Sequence, residues 1–228
     1  MKLDISDADH QQVSDAVAAA EAKSNGEIVT VVTDQSDAYH DVALHWAVAT
    51  LLAVLAWAAA FPNWLTWWRD TLLGRGWDAG ADSRLGPLLF FLMVLAVLKF
   101  TAVLLLLKWR PLRLALTPGA TKHRRVRRRA CALFKAAAER RTVGRTGILI
   151  YLSVAERRAE IVADEAIVEV TGPETWGEAM AALVAELKQG RPAEGLIQAI
   201  GIVGDVLAEH FPRSDGDVDE IPNRLIEL

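Results

Sequence analysis

Two long apolar segments interrupt a chain that is otherwise rich in charge, and they constrain everything around them. The first is residues 42–61 (VALHWAVATLLAVLAWAAAF) and the second residues 86–107 (GPLLFFLMVLAVLKFTAVLLLL). Each has about the 20 residues a helix needs to cross a bilayer. The first contains no formally charged residue and the second only Lys99. Backbone polar groups in lipid must be paired internally, so helices are the expected form. The expectation is a two-span membrane protein. The alternative is a pair of buried helices in a soluble fold.

Charge sets the expected orientation. Lys108 to Arg129 holds nine Lys and Arg and no acidic residue. The connecting loop, 62–85, balances Arg69, Arg75 and Arg84 with Asp70, Asp78 and Asp82. Basic residues beside a span mark the cytoplasmic side. The loop is therefore expected outside, with both termini in the cytoplasm and the chain in the plasma (inner) membrane. Trp57, Trp64, Trp67 and Trp68 gather at the outer boundary, with Trp46 and Trp109 at the inner one. Amphipathic rings favour that depth. The polar, acidic start (MKLDISDADHQQ) does not read as a cleavable signal, so the first span is expected to direct insertion.

The net charge of −4 hides an asymmetry, acidic at both ends and basic just inside the membrane. That basic run includes Lys122, Arg124 and Arg125 and should attract anionic lipid head groups. It abuts a span and the soluble parts are acidic, so nucleic acid is not an expected partner. One cysteine, Cys131, excludes a disulfide framework within the chain.

The flanking pieces read as parts of one α/β domain. Ser6 with Asp9 opens a helix in a variant capping box, and Val13, Ala16, Val17 and Ala20 follow at helical spacing. Glu27 to Thr33 (EIVTVVT) is a short β-branched strand that leaves its edges unpaired. Its partner is expected beyond the second span. Thr121 begins a helix with an apolar stripe at Val126, Ala130, Leu133, Phe134 and Ala137, and with a basic opposite face. Gly147 to Ser153 is a central strand, Ala159 to Asp164 a returning one, and 155–158 the turn between them. A helix opening at Pro173 and another over 192–210 close the domain. Gly195, Gly201 and Gly204 in the last helix read as close-packing positions, because glycine otherwise weakens a helix.

The expected organisation is a small mixed sheet flanked by helices. Residues 1–40 and 121–211 supply it, and the transmembrane hairpin 42–107 interrupts it. Residues 212–228 are expected to form a mobile acidic tail.

Four stretches together carry a resemblance: GEIVTVVTDQSDAY, AERRTVGRTG, GILIYLSVAERRAEIVAD and RPAEGLIQAIGIVGDVLAEHFP. The chain resembles the TPM-domain family, named after a thylakoid lumen protein, a photosystem-repair protein and a nematode acetylcholine-receptor modulator. It departs from that family at Thr146-Gly147-Ile148-Leu149-Ile150, where the family has N-G-[VI]-L-L, and at Ala163, where it has glycine. The resemblance implies a TPM-like fold. It also implies a divalent-cation-dependent phosphatase as one activity, since some relatives are described as acid phosphatases and some bind divalent cations.

The residues themselves show no HExxH, P-loop, nucleophile elbow or C-x-x-C, and no catalytic constellation is readable. Asp34 with Asp37, or Asp164 with Glu165, offer oxygens suited to calcium or magnesium. If the first two strands are parallel, Asp34 lies at the membrane end with Arg157 and Arg158 near lipid head groups. Arg145, Thr146, Asp164 and Glu165 then gather at the opposite, distal end, which is the expected binding surface. The bland alternative there is an ion-paired rim, Arg145 with Asp164 or Arg140 with Glu165. The preferred function is a cytoplasm-facing interaction or assembly module with membrane lipids and a protein as partners. The phosphatase is second. A pore, resting on Lys99, is third and would require a homo-oligomer.

Overall fold

The computed structural model describes residues 5–74, 85–137, 146–172, 174–214 and 221–228. In chain order the elements are α1 (Asp7–Glu21), β1 (Glu27–Thr33), α2 (His40–Ala60), α3 (Pro62–Leu73), α4 (Leu85–Leu106), α5 (Arg110–Ala115) and α6 (Gly119–Ala137). There follow β2 (Gly147–Ser153), β3 (Arg158–Ala163), α7 (Glu165–Val170), α8 (Gly177–Lys188), α9 (Pro192–His210) and β4 (Leu225–Glu227). They form two compact units, residues 1–38 with 119–228, and residues 39–118.

The discontinuous unit is built on a four-stranded sheet in the order β3-β2-β1-β4. β1 and β2 are parallel, with Glu27 opposite Gly147 and Thr33 opposite Ser153. The strand from before the interruption therefore sits at the centre of a sheet completed after it. β3 runs antiparallel to β2, so the sheet is mixed. Both central strands are buried along their whole length, as expected of strands covered on two faces.

Alternation sorts the two faces. Ile28 and Val32 with Ile148, Ile150 and Leu152 point toward α1, α8 and α9. Val29, Val31, Leu149 and Tyr151 point toward α6, where Val126, Ala130 and Phe134 meet them. The stripe expected on α6 is thus the one that packs. α1 starts as the sequence indicates. The Ser6 amide donates to the Asp9 carboxylate (2.9 Å), and the Asp9 amide to the Ser6 hydroxyl (3.2 Å).

Three expectations are corrected. The chain after Arg213 was expected to be a mobile tail, yet its end returns to the sheet. β4 lies parallel to β1 with Thr30 opposite Leu225, and the Leu228 amide donates to Val32 O (3.0 Å). Three residues carry too little pattern to announce a strand; pairing with β1 makes it one. Of the three glycines, Gly195 and Gly204 are close-packed, whereas a Cβ on Gly201 would meet open space. The third concerns the stretch between β3 and Pro173, where the structure adds a helix, α7, that the sequence reading did not include. Pro173, expected to open the next helix, lies outside the described residues.

In the other unit α2 and α4 pack as an antiparallel pair. Ala58, near the end of α2, clusters with Phe91, near the start of α4, and with Leu65 of α3. Both helices are long and apolar enough to cross a membrane. Only 22% and 11% of their most apolar stretches are buried. Leu52, Trp57, Val97 and Leu98 are among the large side chains they expose. Among the described residues both helices are apolar all round and leave much of that surface uncovered.

Candidate functional site

The end of the sheet where β1 and β2 begin brings Thr146 and Asp164 together, and both side chains hold backbone there. The Thr146 hydroxyl donates to Asn25 O (2.8 Å), and Thr146 O accepts from the Glu27 amide (3.1 Å). The Asp164 carboxylate accepts from the Gly147 amide (3.0 Å), and its own amide donates to Gly147 O (2.9 Å). Asn25 in turn accepts from the Ser214 amide (2.9 Å). The cluster locks the entries of β1 and β2 to the exit of β3. Glu165 is exposed at the start of α7. Arg145 and Arg140, and with them both expected ion pairs, lie outside the described residues.

The opposite end of the sheet carries a buried network that the sequence did not announce. The Ser36 hydroxyl bonds Tyr151 Oη (2.8 Å) and donates to Ser153 Oγ (2.9 Å). The Glu156 carboxylate accepts from the Ser36 amide (2.9 Å) and, through its other oxygen, from the Ser153 hydroxyl. Burial pushes the Tyr151 phenol above its usual value, against the Ser36 hydrogen bond, which pulls it down. Ser153 is fully buried, so the network pins the stretch by which the chain leaves β1 rather than presenting a nucleophile to solvent. Tyr151 and Ser153 stand two apart and so share a face, the one signal in GILIYLS that links them. Asp34 does lie at this end, where its carbonyl accepts from the Ala155 amide (2.9 Å). Asp37 accepts from Arg125 (2.9 Å) and Arg128 (3.4 Å).

The basic residues divide accordingly. Arg125 is held by Asp37, and Arg158 donates to Gly119 O (3.3 Å). Arg124 and Arg157 are exposed and Lys122 is half-buried. Arg157 sits in the β2–β3 turn at φ 51°, a left-handed conformation that side chains other than Gly, Asn and Asp seldom adopt.

A third place was not singled out by sequence. β3 is an edge strand. Asp164 bonds Gly147, and bonded pairs alternate along an antiparallel ladder. Residues 158, 160 and 162 therefore face β2, and the amides and carbonyls of Ala159, Ile161 and Ala163 point away from it. Beside this edge lies a groove of about 340 Å³. Arg127 and Cys131 of α6 form one wall, and Val168 of α7 with Trp176 and Met180 of the α8 segment form the other.

Glu160 lies at the α6 side of the groove, 3.1 Å from His123 Nδ1 and 3.8 Å from Arg127. Burial raises its carboxyl above the usual carboxylate value, with His123 and then Arg127 opposing the shift. A carboxyl whose pKa is raised by folding binds its proton more tightly in the native state. Its favourable contribution is complete below the unfolded value of 4.5 and is lost as pH climbs through the folded value. Glu160→Gln should remove this loss, so thermal melts of the variant will fall less between pH 4.5 and neutrality than those of the parent. Parallel pH profiles for the two proteins would contradict the assignment.

No family model matches the chain, and no curated protein matches it. Among solved structures, the BA42 protein of the psychrophilic bacterium Bizionia argentinensis, determined by NMR, is similar over 100% of this chain and 98% of its own. The TM-score is 0.57 at 18% identity, a likeness of fold alone.

Proposed function

We propose that this chain is a membrane-anchored, TPM-like binding module whose sheet domain faces the cytoplasm and docks a protein partner. The observation that carries the reading is the groove beside the open edge of β3. The polar side chains at the two sheet ends hold the chain's own backbone, whereas the groove joins an apolar wall to unpaired strand groups. Outward-facing apolar surface on α2 and α4 supports the anchor. The tryptophans at the span ends support the spans, and the nine basic residues after the second span support the orientation. Lys99, exposed on α4, would reach toward cytoplasmic head groups by snorkelling.

The phosphatase alternative finds less support. Among the described residues no three His, Cys, Asp or Glu side chains come together to hold a metal ion. Asp164, one of its candidate ligands, already accepts from Gly147.

Two measurements test the proposal. The chain should resist carbonate extraction from membranes, and a cysteine placed at Asp78 should react with an impermeant thiol reagent in intact cells while Cys131 stays unlabelled. Recovery in the soluble fraction, or labelling in the reverse pattern, would sink the anchor or the orientation. A photo-crosslinker at Val168 should give a discrete adduct in membranes, absent when it is moved to the exposed Gln12 of α1. Hydrolysis of a phosphate ester by the purified chain, lost on substituting Asp34 or Asp164, would instead establish the phosphatase.

A further inference from the structure

We infer that the open edge of β3 takes an extended, alternating acidic and apolar segment of a partner protein as a fifth strand. This rests on the binding-module reading and specifies the partner's chemistry. An edge strand presents a ready row of donors and acceptors, and proteins ordinarily cover, shorten or charge such an edge. Here the outward groups of Ile161 and Ala163 have no hydrogen-bond partner among the described residues, and the groove runs beside them. Strand addition supplies main-chain bonds for affinity and alternate side-chain pockets for specificity.

The two walls differ in chemistry, which matches the period of two of an incoming strand. Side chains of the new strand on the α7–α8 side would meet Val168, Trp176 and Met180, so apolar residues belong there. Side chains on the α6 side would meet Arg127, whose side chain is 66% exposed despite its distant pairing with Glu160. Arg124, also exposed, lies three residues away and therefore on the same helix face. Two guanidinium groups against one carboxylate leave a positive wall that favours acidic residues.

The chain itself extends the sheet by strand addition at the opposite edge. Leu-Ile-Glu of β4 pairs with β1, burying Leu225, and Glu227 meets His10 of α1 at 2.9 Å. Leu225 and Glu227 share one face of β4 and Ile226 takes the other, so a segment of three residues is sufficient to extend this sheet at an edge.

The test uses the full chain in detergent and a fluorescent synthetic peptide of about eight residues, the length of a typical strand, alternating Val and Glu. Binding should slow exchange of the Ile161 and Ala163 amides by about tenfold or more. It should also slow alkylation of Cys131. Ala163→Pro removes one outward donor without touching the bonds to β2, and should weaken binding about tenfold. Arg127→Glu should weaken the Val–Glu peptide and favour its Val–Lys counterpart. A peptide N-methylated at alternate residues should fail to bind.

Equal binding of the N-methylated peptide, or amide exchange unchanged on binding, would overturn the strand inference. Protection of the same amides in the free chain that grows with protein concentration would overturn it in favour of a second copy. The crosslink from Val168 in membranes is a separate readout. If it persists while no peptide adds to the edge, the strand inference falls and the binding reading stands.

Discussion

A chain reduced to residues 119–228 is expected not to fold. It would lose α1 and β1, and β1 is the strand on which both β2 and β4 pair. Val13, Val17, Ile28, Val29, Val31 and Val32 are all buried, and none would be present to cover the remaining core. Burying one such side chain stabilises by about 1.5–3 kcal/mol. Six of them together rival the roughly 5–15 kcal/mol by which a whole domain is stable. The truncation would also leave β4 without its partner β1 and expose a second sheet edge on β2.

The complementary chain should fold. Residues 5–38 joined to 119–228 through a flexible Gly/Ser linker retain every element of the sheet unit. That chain should unfold cooperatively in denaturant with a folded circular-dichroism spectrum, while 119–228 alone shows neither. Cooperative unfolding of 119–228 by itself would mean that β1 is an accessory and not the centre of the domain.

What made this architecture legible was periodicity in long elements. The stripes on α1, α6, α8 and α9 are each set by burial against one face, and burial leaves a pattern in sequence. The orphaned state of EIVTVVT pointed across the interruption to a parallel partner, because no nearby stretch offers it one. Short elements had no such trace. In α7 only Ile167 is buried, and in β4 only Leu225, so neither reads as periodic. Their conformations come from tertiary pairing.

The candidate sites divide in the same way. Thr146 and Asp164 were found because the strand-turn-strand between them returns the chain to its starting end. The Ser36 network was not, since Ser36 lies 115 to 120 residues from its partners. Nothing local in AEIVAD singles out Glu160. Its burial and its place beside a groove depend on α6 covering that face, which no local pattern encodes.

Among the described glycines, Gly204 has the least room for a Cβ and yields the sharpest single-residue expectation. A Cβ at Gly204 would lie 2.7 Å from Ala20 Cβ and 3.3 Å from Ala20 Cα, so the obstacle is the body of α1 and not the end of a flexible side chain. Gly204→Ala gains roughly 1 kcal/mol of helix propensity. Overpacking costs about 1–3 kcal/mol and forces α1 away from α9. The shift would also loosen Val13 and Val17, so the net change should be a loss of stability. Gly201→Ala, in open space on the same helix, carries the propensity gain without the clash and should stabilise by about 0.5–1 kcal/mol. Chemical denaturation of the linker-joined unit measures both, and Ala20→Gly should recover much of the Gly204→Ala loss in a double-mutant cycle. If the two alanine variants prove equally stable, α1 and α9 do not cross as closely as the glycine requires. If Ala20→Gly gives no recovery, the strain from Gly204→Ala is relieved somewhere other than at Ala20.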